Sequence, residues 1–128
     1  MRSTILALAL ATSLGSAAQA QSAQVPLSTR QTESGPVLVD GQGMTLYTFA
    51  RDAEGRSACN EACAVNWPPL TAADGAVPEG EYGVIVRDDG TRQWTFRGRP
   101  LYRWRRDAAP GDATGDGFLE GAWRIARP

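Results

Sequence analysis

Cys59 and Cys63 are the only thiols in the chain, one helical turn apart in the run Cys-Asn-Glu-Ala-Cys. That spacing lets the two sulfurs bond if the backbone between them adapts. Two chemistries compete for such a pair: a structural disulfide, or thiol work by redox exchange or by capture of Cu(I) or Zn(II). The structural disulfide is the expectation. Copper carriers of this spacing usually add an imidazole, and the chain contains no His; Met44 is the only Met beyond the first residue. Glu61 between the thiols also opposes the electropositive setting that makes a thiol reactive. A thiol-redox or metal-handling protein of the envelope stands as the alternative.

A second candidate is the run from Asp112 to Glu120. Asp112, Thr114, Asp116 and Glu120 place oxygen side chains at alternating positions, with Gly117 where a calcium loop turns sharply. The position that should supply a bidentate Glu is Trp123, and no helical pattern flanks the loop. A solvated Asp/Gly turn is expected here, with a calcium-stabilised module as the alternative. A third candidate is arginine-rich. Arg97, Arg99, Arg103, Arg105 and Arg106 lie close together with no acid among them. On a strand, Arg103 and Arg105 point to solvent opposite Tyr102 and Trp104. The stripe either binds an anion or protects an edge strand from aggregation by charge.

The composition excludes more than it assigns. With no His, the commonest general base and the usual nucleophilic triads are missing, and with no Lys there is no Schiff-base chemistry. The 14 acidic residues are spread over loops and present no specific pair. A formal net charge of −1 gives no global attraction for nucleic acid. These features point to a non-catalytic binding or structural protein without a cofactor. Its partner would be an unspecified envelope ligand or protein, its oligomeric state is open, and no specific nucleic-acid partner is expected.

The elements that position these residues follow an N-terminal segment of another kind. Residues 1–20 read as a signal peptide: Arg2, an apolar run from Ile5 to Leu14, then Ala18-Gln19-Ala20 with cleavage after Ala20. The apolar run is too short to span a bilayer, which takes roughly 20 residues. No Cys adjoins the cleavage point to carry a lipid. The expected location is therefore the periplasm or the medium. Residues 21–34 are polar and without period, and read as a flexible leader; a single β-rich domain is expected over 35–128.

Within that domain, short β-type runs alternate with Gly, Pro and Asp, and no window sustains a helical period. Strands are expected over 36–39, 44–50, 82–87, 92–96, 101–105 and 123–126, and one helical turn over 60–65, ended by Trp67-Pro68-Pro69. Residues 82–105 form a three-stranded meander in this reading, with turns at Gly90 and Gly98. The four Trp supply core, although an exposed pair would make a ligand platform.

The chain also repeats itself. The run from Gly43 to Asp52 aligns without a gap on that from Gly98 to Asp107, matching Gly, Leu, Tyr, an aromatic, Arg and Asp. Tyr47 and Phe49 share one strand face, as do Tyr102 and Trp104. Asp52 and Asp107 fall where each strand ends, suited to capping a turn. The expected fold is mainly β: a small domain of antiparallel meanders built from two related units, about 35–80 and 81–128, packed aromatic face to aromatic face. At these residues the chain resembles a family of bacterial secreted proteins and lipoproteins with a repeated Tyr-x-(Phe/Trp/Tyr)-x-x-Asp motif. The resemblance extends through Cys59, Cys63, Trp67-Pro68-Pro69-Leu70, Pro110-Gly111-Asp112 and Trp123. It implies a duplicated fold in the envelope and names no reaction.

Overall fold

A computed structural model describes residues 3–5, 7, 9 and 25–128. Most of the expected signal peptide lies outside the described residues. The elements run β1 (Leu27–Thr32), β2 (Gly35–Asp40), β3 (Tyr47–Phe49), α1 (Ala62–Asn66), β4 (Tyr82–Val86), β5 (Arg92–Phe96), β6 (Arg99–Pro100), α2 (Phe118–Gly121) and β7 (Trp123–Ile125). The fold is mainly β, with three small antiparallel sheets ordered β1-β2, β3-β7 and β4-β5-β6. Among the described residues no helix is long and apolar enough to cross a membrane.

Three sequence expectations need correction. The leader expected over 21–34 contains β1, which pairs along its length with β2, from Leu27 opposite Asp40 to Thr32 opposite Gly35. Its residues from Ser28 onward are exposed, so β1 is held by ladder hydrogen bonds rather than by an apolar face. The strand expected over 101–105 is replaced by the short β6 and by single bridges from Tyr102 to Tyr47 and to Pro69. The strand expected over 44–50 shortens to β3, because Leu46 turns its backbone to partners outside that ladder.

Those partners show how the two repeats interlock. Leu46 N–H donates to the Leu38 carbonyl, Leu38 N–H to Ala126, and Ala126 N–H back to Leu46, at 2.8–3.0 Å. The second repeat closes the same triangle: Leu101 N–H to Trp94, Trp94 N–H to Leu70, and Leu70 N–H to Leu101, at 2.9–3.0 Å. Leu38 thus corresponds to Trp94, Leu46 to Leu101, and Ala126 to Leu70. The last segment of each repeat completes the triangle of the other. Backbone polar groups deep in the protein are thereby satisfied only when both repeats are folded together. Tyr47 and Tyr102, equivalent residues, exchange both backbone hydrogen bonds (2.8 and 3.0 Å), so the approximate twofold axis passes between them.

Two apolar clusters flank this junction. Leu38, Leu46, Leu70, Trp94, Phe96 and Leu101 form one. The other is aromatic and gathers Tyr47, Phe49, Trp67, Tyr102, Trp104 and Trp123 around Cys59.

Candidate functional site

The repeated motif meets at the aromatic cluster, and each copy completes the other. Tyr47 donates its hydroxyl to Asp107 Oδ2 at 2.6 Å, and Tyr102 donates to Asp52 Oδ2 at 2.7 Å. Neither tyrosine bonds the aspartate of its own motif. The second carboxylate oxygen holds the following loop: Asp52 Oδ1 accepts Ala58 N–H (2.7 Å), and Asp107 Oδ1 accepts the N–H and hydroxyl of Thr114 (3.0 and 2.7 Å). The turn-capping role expected for the aspartates is present, joined to a clasp between repeats.

Both tyrosines are fully buried. Burial first, then the hydrogen bond to Asp107, pushes the Tyr47 hydroxyl far above the usual phenol range. Burial likewise raises Tyr102, against a lowering contribution from Ser57. Burial also raises Asp52, opposed by Ala58 N–H, the Tyr102 hydroxyl and the nearby Arg87. These hydroxyls stay protonated and enclosed, so they serve as hydrogen-bond donors and not as nucleophiles.

Four rings stack in a column between the clasps. Phe49 lies on Trp123 (centroids 4.2 Å apart, planes 9° apart), Trp123 on Trp67 (3.8 Å, 2°), and Trp67 on Trp104 (4.0 Å, 29°). Tyr47 meets Trp67 edge-on, as Tyr102 meets Trp123. The expectation of two aromatic faces in direct contact is therefore refined: the late tryptophan of each repeat lies between them. All four Trp are buried, so none forms an exposed platform. Size is balanced across the column. Beside the smaller Phe49 the first repeat places Cys59; beside the larger Trp104 the second has Gly115, where a Cβ would stand 2.6 Å from Trp67 Cη2 and 3.0 Å from Trp104 Cγ.

Cys59 and Cys63 are joined as a disulfide with Cα atoms 5.2 Å apart. The bond closes the loop that leads into α1. Asp112, Thr114, Asp116 and Glu120 are not brought together. Asp112 accepts the N–H groups of Ala108 and Ala109, Thr114 bonds Asp107, Asp116 accepts Ile125 N–H at 3.0 Å, and Glu120 is exposed. Among the described residues no three His, Cys, Asp or Glu side chains group as metal ligands.

The arginine stripe divides. Arg97 pairs with Glu81 at 2.8 Å, and Arg106 lies over the Trp104 ring. Arg103, expected in solvent, is half-buried, with Nη1 3.7 Å from Asp40 Oδ2. Arg105 is exposed. Arg97 and Arg99 instead join Arg124 along a surface groove of about 900 Å³, which also meets Asp52, Glu54 and Asp116.

Sequence reasoning missed Arg87. This buried guanidinium donates from Nη1 to Ser57 Oγ (3.0 Å) and Gln93 Oε1 (2.7 Å), and from Nη2 to the Cys59 carbonyl. Ser57 in turn bonds the Tyr102 hydroxyl at 2.6 Å, so a cation stands behind the Tyr102–Asp52 clasp.

These features define a duplicated β-protein whose repeated motif is spent on closing one repeat over the other. The chain belongs to the Lipoprotein_15 family, described as a secreted repeat of unknown function, which matches residues 28–71 and again 83–127. The first match starts inside β1, in line with the strand found there. No curated protein and no solved structure matches the chain.

Proposed function

We propose that the protein is an exported, non-catalytic module that binds an acidic ligand of the cell envelope along the arginine-bearing groove. The observation that carries this reading is the fate of the motif. Its tyrosines and aspartates are committed to the interior, and the thiols are committed to each other. What the surface offers instead is the groove, part of which is formed by β3 and β7. Arg99 and Arg124 line it and form no ion pair among the described residues. Guanidinium groups held at a concave surface attract carboxylate or phosphate oxygens in fork geometry. The N-terminal pattern, with cleavage after Ala20, supports release into the periplasm or the medium.

Binding to soluble poly-glutamate and to phosphatidylglycerol vesicles tests the proposal. Retention should weaken with salt and fall on the pair Arg99→Glu and Arg124→Glu, while Arg105→Glu with Arg106→Glu, outside the groove, leaves most of it. Equal loss from both pairs would reduce the effect to net charge, and no binding to either probe would reject the proposal.

A further inference from the structure

The twofold relation between the repeats exposes a difference at one place. Antiparallel register matches β1-β2 to β4-β5, so Thr32 corresponds to Arg87 and Val37 to Gln93. The loops held by Asp107 and Asp52 match Ala113 to Ser57. In the second hairpin, Arg87 fills the space between strand and loop and is satisfied by Gln93 and Ser57. In the first, every one of those three side chains is shorter or apolar. The corresponding space is open: a cavity of about 370 Å³ lined by Thr32, Val37, Thr45, Ala113 and Ile125, with the exposed Arg30 and Glu33 also lining it.

We infer that this cavity is a binding site for a small uncharged molecule that buries an aryl or short alkyl group. The volume falls within the range of small-ligand sites. The twofold-related site shows what the same walls accept when they are polar, namely a guanidinium. Here both side-chain acceptors of that cation are gone, since Val37 and Ala113 carry no polar side-chain atom, and its third acceptor, the Cys59 carbonyl, corresponds to that of Gly115, which accepts Phe118 N–H. The hydroxyls that remain are occupied locally: Thr32 donates to the Gly35 carbonyl and Thr45 to that of Asp112, each at 2.6 Å, and Ser34 bonds Thr32 Oγ1 and accepts from Arg127. A charged group resting against Val37, Ala113 and Ile125 would lose hydration there with no polar partner from those three side chains. A neutral apolar group gains contact with Val37, Ala113 and Ile125. This site shares Ile125 with the arginine groove but none of its arginines, and does not depend on them.

Phenol is a suitable probe, with guanidinium chloride at equal concentration as the contrasting cation. In methyl-resolved NMR of the folded protein, phenol should shift Val37, Ala113 and Ile125 saturably, with a Kd of about 1 mM for a ligand of this size. Guanidinium should leave those methyls unmoved. Rebuilding the twofold-related site with Thr32→Arg, Val37→Gln and Ala113→Ser should fill the cavity from within and weaken phenol binding at least about tenfold. Ala113→Leu serves the same purpose if the triple variant fails to fold. Absence of saturation, equal response to guanidinium, or undiminished phenol binding by a folded filled variant would each overturn the inference.

Discussion

Replacing Gly115 by Ala adds one methyl group at the tightest point of the aromatic column. Gly115 does not occupy the positive-φ region, so the backbone tolerates alanine and the cost is steric. The new Cβ would stand 2.6 Å from Trp67 Cη2 and 3.0 Å from both Trp67 Cζ3 and Trp104 Cγ. Trp67 cannot retreat, because Trp123 lies 3.8 Å away on its far face. Overpacking of this kind costs about 1–3 kcal/mol, and the double contact places the substitution near 2 kcal/mol, roughly a 10 °C fall in Tm for a domain this small. Urea unfolding followed by tryptophan fluorescence reads the loss. Gly75→Ala is the control, since no atom lies within 4 Å of its Cβ and its φ is also not positive; it should be neutral or stabilise by up to about 1 kcal/mol. A Gly115→Ala protein as stable as the Gly75→Ala control would refute the packing argument.

Serine at both Cys59 and Cys63 should lower stability by about 2 kcal/mol, because the loop they close is short, and should leave poly-glutamate binding intact; chemical denaturation and the retention assay check both. Glu61 has φ 55° and ψ −121°, a region that favours glycine, while the second repeat has Gly117 (φ 87°) at the residue leading into α2. Glu61→Gly should therefore raise stability by about 1 kcal/mol, read as a higher urea unfolding midpoint. At alkaline pH, burial keeps Tyr47 and Tyr102 protonated after the unfolded chain has begun to ionise near its ordinary 10.0. Stability from these groups is complete below about pH 10 and falls as pH climbs toward their native values, by up to about 1.4 kcal/mol per pH unit for each tyrosine. Urea melts between pH 9 and 11.5 should show that slope, and Tyr47→Phe should remove one proton from it.

Short β-type runs bounded by turn residues were enough to place β2, β4 and β5: Val37-Leu38-Val39, Val84-Ile85-Val86 and Trp94-Thr95-Phe96 lie between turns containing Gly or Asp. β1 was illegible for a physical reason: Ser28, Thr29, Arg30 and Gln31 have no buried face, and only pairing with β2 makes them a strand. The motif was visible as a repetition, but its meaning was not. Strand periodicity says which way Tyr47 points and nothing about which aspartate it meets. Trp67 and Trp123 carried an unused signal, for each lies beyond its motif and just before the segment that crosses to the other repeat. Arg87 closes the strand expected over 82–87, just before Asp88 and Asp89, and nothing local marks it as buried; its burial depends on Gln93 across the hairpin and on Ser57, which is distant in sequence.

The interlocked architecture depends on the crossing of the clasp from one repeat to the other, and double-mutant cycles measure that crossing directly. Tyr47→Phe combined with Asp107→Asn, and Tyr102→Phe with Asp52→Asn, should show coupling of about 1.5 kcal/mol or more, as buried hydrogen bonds to carboxylates do. The pairs within one motif, Tyr47 with Asp52 and Tyr102 with Asp107, should be additive to within about 0.5 kcal/mol. Strong coupling inside each motif, with additivity across the repeats, would contradict the interlocked architecture.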